Sequence, residues 1–283
     1  MDTPLDRLLL TAFLLLAPWG AAVADEDGCK GPSGDCVAVG SWNFSVSLGA
    51  GIRTNPIVHE SDIPLVVVPQ FSYYGKRFFI DNLDGGVTLL DGDSMTLSLI
   101  ASPGYDRVFF YRSDLQNVFV GNFGFAQQSR ATVVDASTPE AVKFTQRPRY
   151  VTYLAGPEWT FKYSGVTGQL DVLHEITGHN HGDEIRAALG IPLSHAGGTW
   201  GANAGFTWKS AAIVNYYYGS PGLYDAGAAL NPFVKVAFSR PLSGRWKLTA
   251  FVECERLANA IFDSPIVNQR YVTTTFVGTT YVF

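Results

Sequence analysis

The chain has 283 residues and a formal net charge of −5 at pH 7. That balance excludes the usual nucleic-acid binder, which needs a basic stripe to neutralise phosphates, so no nucleic acid is expected among the partners. The long apolar stretch "LLLTAFLLLAPWGAAVA" is short for a spanning helix, and no later run offers a transmembrane helix. It ends in Ala22, Val23 and Ala24 ahead of Asp25, a small-residue cleavage pattern, and residues 1–24 are expected to be a signal peptide. Cys29 and Cys36 follow in "GCKGPSGDCVAVG". An exported location permits oxidation and no other ligand cluster lies nearby, so the pair is a disulfide candidate rather than a metal site. "EDG" before Cys29 is unlike a lipoprotein signal, and Cys254 is left over.

From residue 41 the chain alternates in steps of two. In "SWNFSVSLGAGIR" Trp42, Phe44, Val46, Leu48, Ala50 and Ile52 are apolar, and the residues between them are small or polar, ending in Arg53. That is a strand with one greasy face. "YVTYLAGPEWTFKYS" sets Tyr153, Ala155, Pro157, Trp159, Phe161 and Tyr163 opposite Glu158 and Lys162. "DEIRAALGIPL", "TWGANAGFTWK" and "RWKLTAFVECER" repeat the pattern with Ile185 to Leu193, Trp200 to Trp208 and Trp246 to Cys254 on their apolar sides.

Soluble sandwiches and lipocalin-like barrels alternate too. Here the opposite face is rich in Gly, Ser, Thr and Asn with charges at mid-strand, aromatics sit near the strand ends, and the strands run about ten residues or more, as in membrane barrels. Open edges are forbidden in lipid, which leaves a closed barrel. The expected fold is all-β: a closed antiparallel transmembrane β-barrel over residues 41–283, after a short N-terminal periplasmic segment at 25–40. Tight turns at 74–76, 164–165, 197–198 and 243–244 and longer connections at 53–63, 129–147, 178–182, 210–227 and 259–270 divide it into about twelve strands. These are 41–53, 64–74, 77–90, 94–106, 117–128, 148–163, 166–177, 183–195, 199–209, 228–242, 245–258 and 271–283. Both termini then lie in the periplasm and the long loops outside the cell. Alternation is weakest over 107–147, where "DRVFFYRSDLQNVF" has room for a short helix.

"HEITGHNHG" at 174–182 suggests zinc, but His174 and His179 are one residue further apart than the H-E-x-x-H motif needs. On a strand His174 and Glu175 fall on opposite faces and cannot act as ligand and base. His179 and His181 share a parity with Asp183, yet a Gly-rich turn gives no fixed geometry, and a solvated loop tip without metal is expected. Glu158, Lys162, Asp171, Glu175, Arg186, Lys209, Lys235, Glu253 and Glu255 share the lumen face, where a salt-bridged, hydrated filling is expected rather than a catalytic cluster. There is no G-x-S-x-G, P-loop or dinucleotide fingerprint, so no catalytic, cofactor or metal residue is assigned. The tyrosines of "NYYYGSPGLY", Tyr216 to Tyr218, suit contact with sugar or protein and suit interfacial anchoring at least as well. In the final "YVTTTFVGTTYVF", Tyr281 and the terminal Phe283 resemble the signal that the outer-membrane barrel-assembly machinery recognises.

The blocks "WNFSVSLGAGIRTNPIVHESD", "FFI", "TLLDGD", "WKSAAIVNYYYGSPG", "YDAGAAL" and "DSPIV", before a last strand ending in Phe, resemble the MipA/OmpV family of outer-membrane proteins, the MltA-interacting proteins. The likeness is spread over the whole mature chain and includes no catalytic signature. It departs at the first loop, where Val58, His59 and Glu60 precede Ser61 and Asp62 in place of the tyrosine and glycine common in the family. The resemblance implies a non-enzymatic outer-membrane barrel acting as a scaffold or envelope-organising protein, whose relatives bridge a lytic transglycosylase and a penicillin-binding synthase. Other relatives are described as adhesins or as stress and permeability proteins, so the family does not fix one activity. Expected partners include outer-membrane lipid and the assembly machinery, and no cofactor is expected. The alternative is a narrow channel for small solutes, and a barrel enzyme acting on lipid or peptide is the third reading.

Overall fold

The structure, a computed structural model, describes residues 39–111, 148–195 and 197–283. The expected signal peptide, the Cys29 and Cys36 pair and the expected strand at 117–128 lie outside the described residues. Strands β1 (Trp42–Arg53), β2 (Ile63–Tyr74), β3 (Phe78–Asp81), β4 (Asp84–Asp91), β5 (Met95–Pro103) and β6 (Tyr153–Tyr163) are followed by β7 (Val166–Glu175), β8 (Asp183–His195), β9 (Gly198–Lys209), β10 (Ala229–Ser243), β11 (Trp246–Arg256) and β12 (Tyr271–Val282). Each pairs antiparallel with its sequence neighbours, and β1 pairs with β12 to close the barrel.

The alternation predicted from the sequence orients the wall. Along β10, Ala229, Asn231, Phe233, Lys235 and Ala237 are buried inside, while Leu230, Val234 and Val236 are exposed outside. Leu48, Leu99, Leu189, Leu193, Val252 and Val277 extend the outer apolar surface around the barrel. A continuous band of this kind is not tolerated in water and fits the acyl chains of a bilayer. No helix among the described residues is long and apolar enough to cross a membrane.

The two ends of the barrel differ. One end carries the tight turns: Ser164 and Gly165 join β6 to β7 with φ of 48° and 81°, the left-handed pair of a type I′ hairpin. Its outer rim is aromatic, with Trp42 stacked 5.8 Å from Phe44 and 5.1 Å from Tyr73, and Tyr281 lying 5.1 Å from Trp246 and 5.0 Å from Phe283. The other end carries the long connections. One holds a 3-10 turn (Tyr105–Phe109), near the place where the sequence left room for a short helix. Two others hold helices that the sequence reading missed, α1 (Ala211–Tyr218) and α2 (Asn259–Phe262).

One expected strand is corrected. Residues 77–90 are not a single strand but the hairpin β3–β4, turning at Asn82 and Leu83. Asn82 adopts φ 55°, which asparagine tolerates, and imitates a strand residue: its N–H donates to Phe71 O at 2.9 Å and its Oδ1 accepts from Phe71 N at 3.1 Å. Among the described residues no strand pairs with that edge of β2 above Phe71. Pro69, which has no N–H to leave unpaired, lies in this stretch.

The closing seam depends on glycine. Gly49 faces Gly278, and a Cβ on Gly49 would lie 2.2 Å from Val277 O and 2.8 Å from the Phe276 ring, which fills the space that the glycines leave. The folded protein is expected to migrate faster on an unheated gel than after boiling. Gly49→Val should cut that fast-migrating fraction several-fold, because the obstruction is backbone, whereas Leu48→Ile on the lipid face should leave it near wild type. Equal fast-migrating fractions for both variants would remove the argument for the seam.

Candidate functional site

At the loop end the connections fold inward. Helix α1 begins after Ser210 and repeats its apolar residues at Ile213, Val214, Tyr217 and Tyr218, a spacing that makes one greasy face. That face packs against Val108 and Phe109 of the 3-10 turn, Leu154 and Leu173 of the wall, and Leu257, Ile261, Val267 and Val272 around α2. Tyr217 and Tyr218 are 1% and 0% exposed. Neither of the roles expected for them holds at these two positions: they form the core of a plug, and only Tyr216 reaches the surface, where its hydroxyl accepts from Tyr150 N at 2.8 Å. Arg149 crosses the plug, donating from Nε to Tyr217 O at 2.8 Å and stacking 3.9 Å over Phe110. Burial pushes its guanidinium below the usual arginine range.

Beneath the apolar layer the lumen-facing charges pair off. Lys209 Nζ donates to both oxygens of Asp106 at 2.7 Å, and Tyr218 Oη donates to Asp106 Oδ1 at 2.7 Å. Burial first, and then the Asp106 charge, raise the Tyr218 phenol well above its ordinary pKa, so it stays protonated and donating. Arg186 donates to Glu184 Oε1 at 2.6 Å and to Ser102 Oγ at 2.7 Å, and Lys235 meets Glu253 at 3.2 Å. Gln169 bridges Glu158 and Asp171 at 3.1 and 3.0 Å. Of the nine charges assigned to the lumen, Lys162 is the exception, exposed beside the β6–β7 turn. Arg53, Asp106 and Glu184 complete the set. The first and last were legible from parity, whereas Asp106, expected at the end of the strand 94–106, comes from the connection after Pro103. The charged layer surrounds a cavity of about 110 Å³ lined by Arg53, Asp106, Glu184, Arg186, Lys209 and Glu255 together with aromatic and apolar residues.

The histidine loop is built around Glu175. This buried carboxylate receives the backbone N–H groups of Thr177 at 2.7 Å and of His179, Asn180 and His181 at 3.0, 3.1 and 3.0 Å, with the Thr177 hydroxyl as a further donor. Among the described residues no histidine ring donates to it. His174 pairs with Asp183 at 2.8 Å on the outside, and His179 stacks between Tyr150 and Tyr216 at 4.8 and 6.5 Å. Among the described residues no group of three or more His, Cys, Asp or Glu side chains is placed to hold a metal ion.

Residues 46–283 match the family described as MltA-interacting protein MipA. The chain belongs to this family. The MltA-interacting protein of Escherichia coli (strain K12) is 23% identical over 295 residues, covering 98% of this chain and 99% of that one. Among solved structures, outer-membrane expressed OmpT of Vibrio cholerae is 9% identical with a TM-score of 0.33, over 88% of this chain and 99% of its own. The anion-selective porin from Comamonas acidovorans is 10% identical with a TM-score of 0.33, over 86% and 99%. As a MipA family member with a closed twelve-stranded barrel, the protein resides in the outer membrane. The part that matches the MipA family takes in every residue that lines the cavity, from Arg53 to Thr274.

Asp106 fastens the plug, and Asp106→Ala would leave Lys209 buried without its counter-charge. That is worth about 3–5 kcal/mol. The variant is expected to lose thermal stability in detergent and to be cut by protease within 104–111, 148–152 or 210–228. Unchanged melting and protection would show that the apolar core holds the plug alone.

Proposed function

We propose that this protein is a scaffold or envelope-organising barrel that works through its end surfaces and catalyses no reaction. The plug carries this reading: Val108, Leu154, Val214, Tyr217, Tyr218, Leu257 and Ile261, all at most 1% exposed, fill the loop-end mouth. A barrel with a packed mouth transports poorly but presents a rigid rim. In this reading the loops face outward and the tight turns face the periplasm. Residues 1–24 act as the signal peptide, and residues 25–40 form a periplasmic segment closed by a Cys29 to Cys36 disulfide.

The partners fitting this reading are murein enzymes. The curated relatives are named for an interaction with MltA, and we assign this chain a lytic transglycosylase as partner, with a penicillin-binding synthase as a second. The turn end has the charge for protein contact: Lys76, Arg77, Lys162, Arg240 and Arg245 are exposed there against Asp91 and Asp93, a basic rim on an acidic chain. Cross-linking in intact envelopes is expected to recover a lytic transglycosylase, and reversing the five cations together should lower its yield several-fold while the barrel still folds. Recovery that is absent, or indifferent to the reversal, defeats the assignment. The alternative, a narrow channel, has the charged cavity in its favour. Discrete conductance steps in a planar bilayer would select it, and electrically silent insertion supports the scaffold.

Phe283 and Tyr281 are assigned to assembly. Phe283 N–H donates to Phe44 O at 2.9 Å, so the last residue pins the end of β12 to β1, while its ring remains 67% exposed beside Tyr281. Deleting Phe283 should slow insertion and leave protease-sensitive protein in the periplasm, and Phe283→Tyr should be tolerated. Wild-type levels of heat-modifiable barrel after the deletion, at low expression, would show that the residue is dispensable.

A further inference from the structure

The ion pairs around the cavity leave one cation and one anion over. Lys209 is matched with Asp106, Arg186 with Glu184, and Lys235 with Glu253. Arg53 and Glu255 line the same cavity, but no ion pair joins them among the described residues. Arg53 is only 8% exposed, and among the described residues its guanidinium makes one hydrogen bond, from Nε to Thr274 Oγ1 at 3.2 Å. Among the described residues its terminal nitrogens, a planar donor fork, have no protein acceptor and border the cavity. Glu255 accepts from Asn231 Nδ2 at 2.8 Å through one oxygen, and among the described residues its other oxygen has no protein donor.

Donors that border a cavity are left to whatever fills it, and a fork of parallel N–H groups matches a carboxylate. The free Glu255 oxygen calls for a donor, best a cationic one. A guest that meets both demands carries a carboxylate and an ammonium. Size narrows it further: about 110 Å³ is several times the ~30 Å³ share of a water molecule. It falls below the ~300–1,000 Å³ of pockets for drug-sized ligands, which favours a small guest over a peptide or an oligosaccharide.

We propose that the cavity beneath the plug is a binding site for a small zwitterion of the α-amino-acid class, its carboxylate on Arg53 and its ammonium toward Glu255. The site is separate from the end surfaces of the scaffold reading and stands or falls without it. Retaining such a guest adds a solute-binding function to the barrel.

Equilibrium dialysis of radiolabelled glycine against the full chain, folded in detergent, tests the site. Saturable binding near one glycine per barrel is expected, displaced by unlabelled L-alanine but not by tenfold more sodium acetate or ethylammonium chloride, each of which carries half of the recognition. Arg53→Met should weaken binding at least tenfold with heat-modifiable mobility intact. Should that variant fail to fold, Glu255→Gln, which keeps shape and removes charge, carries the same expectation. No saturable binding by the wild-type barrel, displacement by acetate or ethylammonium as effective as by alanine, or undiminished binding in a folded variant would each overturn the proposal and leave a water-filled cavity.

Discussion

The structure depends on one constraint: backbone N–H and C=O groups facing lipid have no water to bond, and each unpaired group costs several kcal/mol. A strand ladder satisfies them only if it has no edge, so β1 must meet β12. The register runs unbroken from Ser45 opposite Val282 to Arg53 opposite Thr274. Glycine at 49 and 278 lets the backbones approach where any side chain would push them apart. The exception confirms the rule. Where the β3–β4 hairpin ends early, Asn82 supplies both the donor and the acceptor that a longer strand would have given Phe71.

Closure fixes the rest by inversion. Alternate residues must face lipid, so the polar and charged half of each strand faces a narrow lumen. Charges held there are neutralised by neighbours on adjacent strands, as Lys235 is by Glu253, or by residues from the loops, as Lys209 is by Asp106. The loop-end plug then excludes water above them. Its apolar face comes from helix α1 and the 3-10 turn, segments that cross no membrane and are free to be amphipathic in the ordinary way.

What the sequence displayed follows the same division. The wall was legible because a two-residue period repeats over long stretches and a slip of one residue would put charges in lipid. Lumen assignments for Asp171, Arg186 and Lys235 came directly from parity. The hairpin at Asn82 was legible but passed over: "DNLDGG" at 81–86 is a cluster of turn residues between the apolar "FFI" and "VTLL", and Asn82 takes φ 55° there. The plug was missed for a different reason. Its spacing, Ile213, Val214, Tyr217 and Tyr218, is helical but only two turns long, and nothing local tells whether such a face meets lipid, sugar or the protein's own interior. Asp106 was expected at the end of a strand that in fact stops at Pro103, and its importance appears only when Lys209 and Tyr218, distant in sequence, are brought to it. The same holds for Glu175: parity put it inside, but its use as an acceptor for the backbone of four loop residues depends on the path of the chain after it.

The use of charge at the base of an apolar plug has a physical logic. Burial of Val108, Val214, Leu257 and Ile261 is non-directional, and a loop core held by it alone has many arrangements of similar energy. Asp106 removes that freedom. One carboxylate on the β5–β6 connection binds a lysine on the wall and a tyrosine on α1, and both donors reach it in only one placement of the two loops. Ser264, from the β11–β12 connection, adds the third loop by donating to Tyr218 O at 2.6 Å. An apolar replacement of similar volume could keep the mouth closed, since buried ion pairs often contribute little net stability. It could not keep the three loops in register, and with them the floor of the plug, where Asp106 and Tyr218 form one side of the cavity that Arg53 and Glu255 complete.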